Sequence, residues 1–166
     1  MRLNFYLIVS LFCALTWSLM VSSDRSYAKD FPDLVEVVAI ESTFQDVKER
    51  VIFAVESQGL VVDHTSDVGG MLARTGKDLG EIQLVYEDAV VLEFCSALYS
   101  RRMAQFSPHL LAFCPYAISV YTLRGQSDTT FVAFKRIARG VKNKETREVL
   151  KQIDDLLMSI VEEAAF

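Results

Sequence analysis

The chain has 166 residues, a net charge of −5 and 51% hydrophobic residues. That length holds one ordinary domain and is too short for two. Eleven Phe and six Tyr against three Pro and seven Gly exclude a disordered chain. A pI near 5.1 argues against the basic face of a nucleic-acid binder.

Residues 1–28 read as an address. Arg2 gives a thin positive start, Leu3 to Val21 is a mostly apolar run, and the polar exit closes on Ser26-Tyr27-Ala28. Small residues on either side of bulky Tyr27 fit the cleavage pattern of a secretory signal peptide. Cleavage is expected after Ala28, leaving an exported, periplasmic domain over residues 29–166. The alternative is an inner-membrane anchor formed by residues 3–21, because the run approaches the ~20 residues that span a bilayer. Only in that case is a membrane a partner. Phe12 is too bulky for Cys13 to be a lipid-attachment site. Losing Arg2, Arg25 and Asp24 leaves 15 basic and 21 acidic residues, a net charge of −6, and no basic tail for nucleic acid.

After a polar lead, Leu34 to Glu41 is rich in branched residues and predicts a strand. Ser42 and Thr43 offer an N-cap, with Gln45 as capping-box partner. Phe44, Val47, Val51 and Val55 follow at helical spacing, and Gly59 supplies the left-handed end. Leu60 to His64 predicts a short strand. Asp67 to Gly80 is weaker, with a short helix about Met71 to Arg74 loosened by Gly69, Gly70 and Gly76. Glu81 to Tyr86 alternates like a half-buried strand, Glu87-Asp88 suggests a turn, and Ala89 to Cys95 its hairpin partner. Ser96 caps a helix over Ala97 to Phe106, stopped by Ser107-Pro108. Strands at Ala117 to Leu123 and Thr129 to Phe134 flank a polar hairpin loop. Val149, Leu150, Ile153, Leu156, Leu157, Ile160 and Val161 line one face of a terminal helix over about 144–164. The expected fold is α+β: a mostly antiparallel sheet of five to six strands packed by three to four helices on one face.

One pattern is more specific. Glu93-Phe94-Cys95-Ser96-Ala97, Ser100-Arg101-Arg102-Met103, Phe113-Cys114-Pro115-Tyr116 and Ser119-Val120-Tyr121 together resemble the bacterial family known as domain of unknown function 302. Thr43-Phe44, Gln58-Gly59 and Val62-Asp63-His64 agree with it. The resemblance runs from about residue 40 to 135 and leaves the terminal helix outside. It implies a small α+β fold, often dimeric, with cytoplasmic and exported members and no established activity. A homodimer is the expected assembly, with the terminal helix either closing the core or forming a dimer contact.

Cys95 and Cys114 are the first candidates for chemistry. In an exported domain two cysteines are an even count in an oxidising compartment, and pairing them closes a loop of about 20 residues worth roughly 3 kcal/mol. Two other readings stay open: a pair of inert apolar thiols, or a functional site. Cys95 precedes a helix N-terminus that favours a thiolate, with Arg101 and Arg102 within two turns. That arrangement suits a reactive thiol, or a soft-metal or haem ligand, although the sequence requires no cofactor. His64 is a further metal candidate, but strand alternation turns Asp63 to the opposite face, which favours a surface or capping role. His109 has no partner at ligand spacing. No HxxxH, CxxC, HExxH or GxSxG motif occurs, and the glycines do not form a phosphate loop. Arg74, Lys77, Arg101 and Arg102 suggest an anion site or, more simply, solvated faces. Phe94, Tyr99, Phe106, Phe113, Tyr116 and Tyr121 gather around the cysteines, most as core and some as pocket wall. The leading reading is a non-enzymatic exported domain binding a small ligand or partner at Cys95, Arg101, Cys114 and Tyr116. The rival reading is a thiol-redox or haem/metal protein using Cys95 and Cys114.

Overall fold

Val35–Ile40 (β1) extends because its branched side chains fit a pleated surface better than a helix. The computed structural model describes residues 34–166 apart from Ile82; the expected signal peptide or anchor lies outside the described residues. Helix α1 (Phe44–Ser57) follows, capped by Thr43, whose Oγ1 accepts from the Asp46 N–H at 3.3 Å. The cap is therefore Thr43 with Asp46, and not a box of Ser42 with Gln45, whose amide turns instead to Glu49. Gly59 ends the helix at a φ of 72°, a conformation that costs a side-chain-bearing residue far more than glycine.

Next come β2 (Val62–Asp67), α2 (Val68–Thr75), β3 (Tyr86–Phe94) and α3 (Ala97–Phe106). A 3-10 turn (Pro108–Phe113) leads into β4 (Tyr116–Leu123) and β5 (Thr130–Lys135), and α4 (Lys144–Ala164) closes the chain. The strands form one antiparallel sheet in the order β1-β5-β4-β3-β2. This is an α+β fold.

Three expectations need correction. The Glu81–Tyr86 and Ala89–Cys95 hairpin does not form: β3 is one strand running through Glu87-Asp88. The register against β4 shifts between Tyr86 and Asp88, and the Asp88 N–H turns to the buried Thr122 hydroxyl at 3.2 Å. A β-bulge has the same polar signature as a turn. Strand β2 begins at Val62 and runs to Asp67, later than Leu60 to His64. The short helix expected about Met71 to Arg74 begins earlier, at Val68, and takes Gly69 and Gly70 into its first turn, where the Asp67 carboxylate accepts the Gly70 N–H at 2.8 Å and caps α2.

The core forms where α1 and α4 pack together against one face of the sheet. Leu92 and Phe94 of β3, Tyr116, Ile118 and Val120 of β4, and Val132 and Phe134 of β5 meet Val47, Val51 and Val55 of α1. Leu150, Ile153, Leu157, Ile160 and Val161 complete it from α4. Along β4 the alternation is strict: Tyr116, Ile118, Val120 and Thr122 are buried, their neighbours half-buried. On the other face Tyr121 stacks on Phe131 at 5.4 Å and meets Tyr86 edge-on at 5.4 Å. Among the described residues no helix is long and apolar enough to cross a membrane.

Candidate functional site

Strands β3 and β4 are neighbours in the sheet, and their last register pair is Phe94 with Tyr116. Their rings meet edge-to-face at 6.2 Å, a favoured arrangement for aromatic quadrupoles. Everything between them, including α3 and the 3-10 turn, is a helical insertion in the β3–β4 connection. Cys95 stands one residue inside one end of it and Cys114 two residues inside the other. Their Cα atoms are 6.5 Å apart and their sulfurs lie at disulfide distance. The pair sits at the base of the insertion, just beyond the last rung of the sheet ladder.

Helix α3 brings Ser100 over this base. Its Oγ lies 3.8 Å from Cys114 Sγ and 3.3 Å from Tyr116 Oη. Burial pushes the Tyr116 phenol above its ordinary value, and the Ser100 hydrogen bond opposes that only in part. Ser96 caps α3, its Oγ accepting from the Tyr99 N–H at 3.5 Å. Cys95 therefore stands just outside a helix N-terminus, as its position in the sequence implied.

Beside the insertion is a cleft of about 240 Å3, at the end of the sheet where β4 begins and β5 ends. Phe113, Pro115 and Tyr116 form one wall, Ile137 and Leu157 another, and Lys135 supplies the cationic group. Ala112 and Ala117 keep it open by being small. The Cys114–Pro115 peptide is cis.

Of the four residues expected to bind a ligand, Cys95, Cys114 and Tyr116 come together, but Tyr116 alone of the four lines the cleft. Arg101 is exposed on α3 and does not line the cleft. Its neighbour Arg102 donates to Gln152 Oε1 of α4 at 2.8 Å and lies over the Tyr99 ring at 5.6 Å. Arg74 pairs with Asp67 at 3.7 Å, so the four basic residues do not gather into one anion site. His64 is exposed on edge strand β2, opposite Glu93. Among the described residues no group of three His, Cys, Asp or Glu could hold a metal ion. Phe113 and Tyr116 were among the aromatics expected as pocket wall, whereas Lys135, Ile137 and Leu157 were not expected at the site, and Ser100 was not expected to contact Cys114. Lys135 reads as an ordinary strand-end charge, and only the β1-β5-β4 order puts it beside the residues after Cys114.

The model of the family described as "Domain of unknown function DUF302" matches residues 36–164. The chain belongs to this family. The DUF302 match takes in α4, which the sequence resemblance left outside, so the terminal helix is part of the family domain. A similar solved structure is that of an uncharacterized conserved protein DUF302 from Bacillus stearothermophilus. It has a TM-score of 0.65 and 17% identity, covering 78% of this chain and 97% of that chain. At that identity the likeness shows the fold. No curated protein matches the chain.

Proposed function

We propose that this DUF302 domain is an exported, non-catalytic binding module that takes a small, largely apolar anion in the cleft beside the Cys95–Cys114 base. One observation carries the reading: apolar walls from Phe113, Pro115, Ile137 and Leu157 converge with a single cation, Lys135. Apolar lining with few placed polar groups is the general form of a small-molecule site. Its volume of about 240 Å3 favours one ring or a short chain over a drug-sized molecule, whose pockets run to about 300–1,000 Å3. The hydroxyls of Ser100 and Tyr116 face each other, and among the described residues no histidine or carboxylate is bonded to either, which favours binding over nucleophilic catalysis. Export rests on the small-x-small ending at Ala28.

The test is an amide-resolved NMR titration of the intact domain with benzoate. Saturable shifts confined to residues 112–117 and 135–137, weakened at least fivefold by Lys135→Glu, are expected. Shifts that are absent, or that ignore Lys135→Glu, would refute the cleft.

A further inference from the structure

We propose that the Cys95–Cys114 pair is a reducible latch on the 96–113 insertion, opened by thiol–disulfide exchange with a dithiol protein. It rests on the cleft reading in one respect, that Phe113 of the insertion is a cleft wall.

Three observations lead there. First, apart from the sulfur pair the insertion is thinly held. Met103 and Leu110 are its only buried apolar side chains and Tyr99 and Phe113 pack on the core half-buried, while Leu98, Phe106 and Leu111 are 54%, 42% and 69% exposed. Among the described residues its side-chain hydrogen bonds to the rest of the domain are Arg102 to Gln152 and Ser100 to Tyr116 and Cys114. Second, the pair closes the insertion at its base, 19 positions apart, so the bond holds both ends of α3 and the 3-10 turn at once. Third, both cysteines are half-buried and not sealed in the core, and each sulfur has a group suited to a thiolate. Cys95 has the α3 N-terminus and Cys114 the Ser100 hydroxyl.

The exchange balances as follows. A thiolate of the partner attacks Cys95 Sγ, forming a mixed disulfide and breaking the Cys95–Cys114 bond. The electron pair leaves on Cys114 Sγ, which accepts a hydrogen bond from Ser100 and then a proton from water. The second partner thiolate attacks its neighbour's sulfur and releases Cys95, which is protonated in turn. The partner becomes a disulfide and two electrons reach this chain. With the base open, α3 and the turn lift away and the Phe113 wall goes with them.

Arg101 and Arg102 are exposed on α3 and report the opening as trypsin sites. The intact oxidised domain would be incubated with a reduced thioredoxin-type dithiol protein, thiols counted, and tryptic cuts mapped by mass spectrometry. Both thiols are expected to become reactive together, with cleavage after Arg101 and Arg102 rising at least tenfold. Cleavage in α4, after Lys144 and Arg147, should stay unchanged. A Cys95→Ser/Cys114→Ser variant should show the open cleavage pattern without reductant, and Ser100→Ala should slow exchange several-fold. Unchanged cleavage on full reduction overturns the latch, and so does simultaneous cutting throughout the domain. Benzoate separates the two readings. If the insertion opens but benzoate binds neither form, the cleft falls and the latch stands. If benzoate binds both forms equally and the insertion stays closed, the latch falls and the cleft stands.

Discussion

Asp154 of α4 accepts the backbone N–H of Ile137 on one carboxylate oxygen at 2.8 Å, while its other oxygen accepts the N–H of Ala138 at 3.1 Å. A charged residue thus occupies the buried stripe of the terminal helix, between Leu150, Ile153 and Leu157. It satisfies the chain where it leaves β5 and turns toward α4. Replacing Asp154 by Ala leaves two N–H groups without acceptors, and each such group costs about 1–3 kcal/mol when buried. Urea unfolding of Asp154→Ala should show a loss of about 2–4 kcal/mol, from the same principle.

The same carboxylate gives a pH signature. Burial raises its pKa, and the two backbone donors and Arg136 offset that only in part. The folded state therefore holds a proton at Asp154 more readily than the unfolded chain does. Its contribution to stability is fully present below the ordinary carboxylate value and is lost as pH rises through the raised one. The stability of the wild type relative to Asp154→Asn should accordingly improve as pH is lowered from neutrality toward 4, the reverse of an ion-paired aspartate. A stability difference independent of pH would refute it.

Gly69 opens α2 against the bulged end of β3. A Cβ there would lie 2.8 Å from the Ala89 backbone nitrogen, which belongs to the sheet and cannot swing aside. Gly69→Ala should cost about 1–3 kcal/mol by overpacking. The loss should appear with increased hydrogen exchange in residues 68–75, while α1 and α4 remain protected.

Joining Cys95 to Cys114 constrains the unfolded chain over a separation of 19 residues. In the chain-entropy picture that is worth about 3 kcal/mol. Oxidised protein and the Cys95→Ala/Cys114→Ala variant should differ by that amount in denaturant midpoint analysis. Equal stability would show that the two sulfurs are not bonded in solution.

Much of the fold was legible because its elements carry strong periodicity. The alternation along β4 and the 3.6-residue stripe of α4 each specify a buried face without reference to the rest of the chain. Glu87-Asp88 misled because two adjacent acids signal a turn by composition, whereas their place in β3 depends on Thr122 from another strand. Asp154 was hidden among the charges of α4, although its position four after Leu150 and three before Leu157 puts it on the buried line. The site was legible only along the chain. The Cys95 and Cys114 neighbourhoods and Tyr116 stand close to one another in sequence, and the helix-start position of Cys95 follows from Ser96. Lys135, Ile137 and Leu157 reach the cleft from elsewhere, through strand order and helix docking that no local pattern encodes.

Strand β1 pairs with β5, so that Val35 faces Lys135 across the ladder. The first strand of the domain has no partner until almost the whole chain exists, and the α4 side chains that cover the sheet arrive later still. Order of synthesis therefore cannot be order of folding. A chain halted before Thr130 holds β2, β3 and β4 with an unmatched strand left over and only α1 of the two covering helices, a state with an open edge and exposed apolar surface. The domain therefore folds late and all at once, with β5 and α4 as the parts it can least do without.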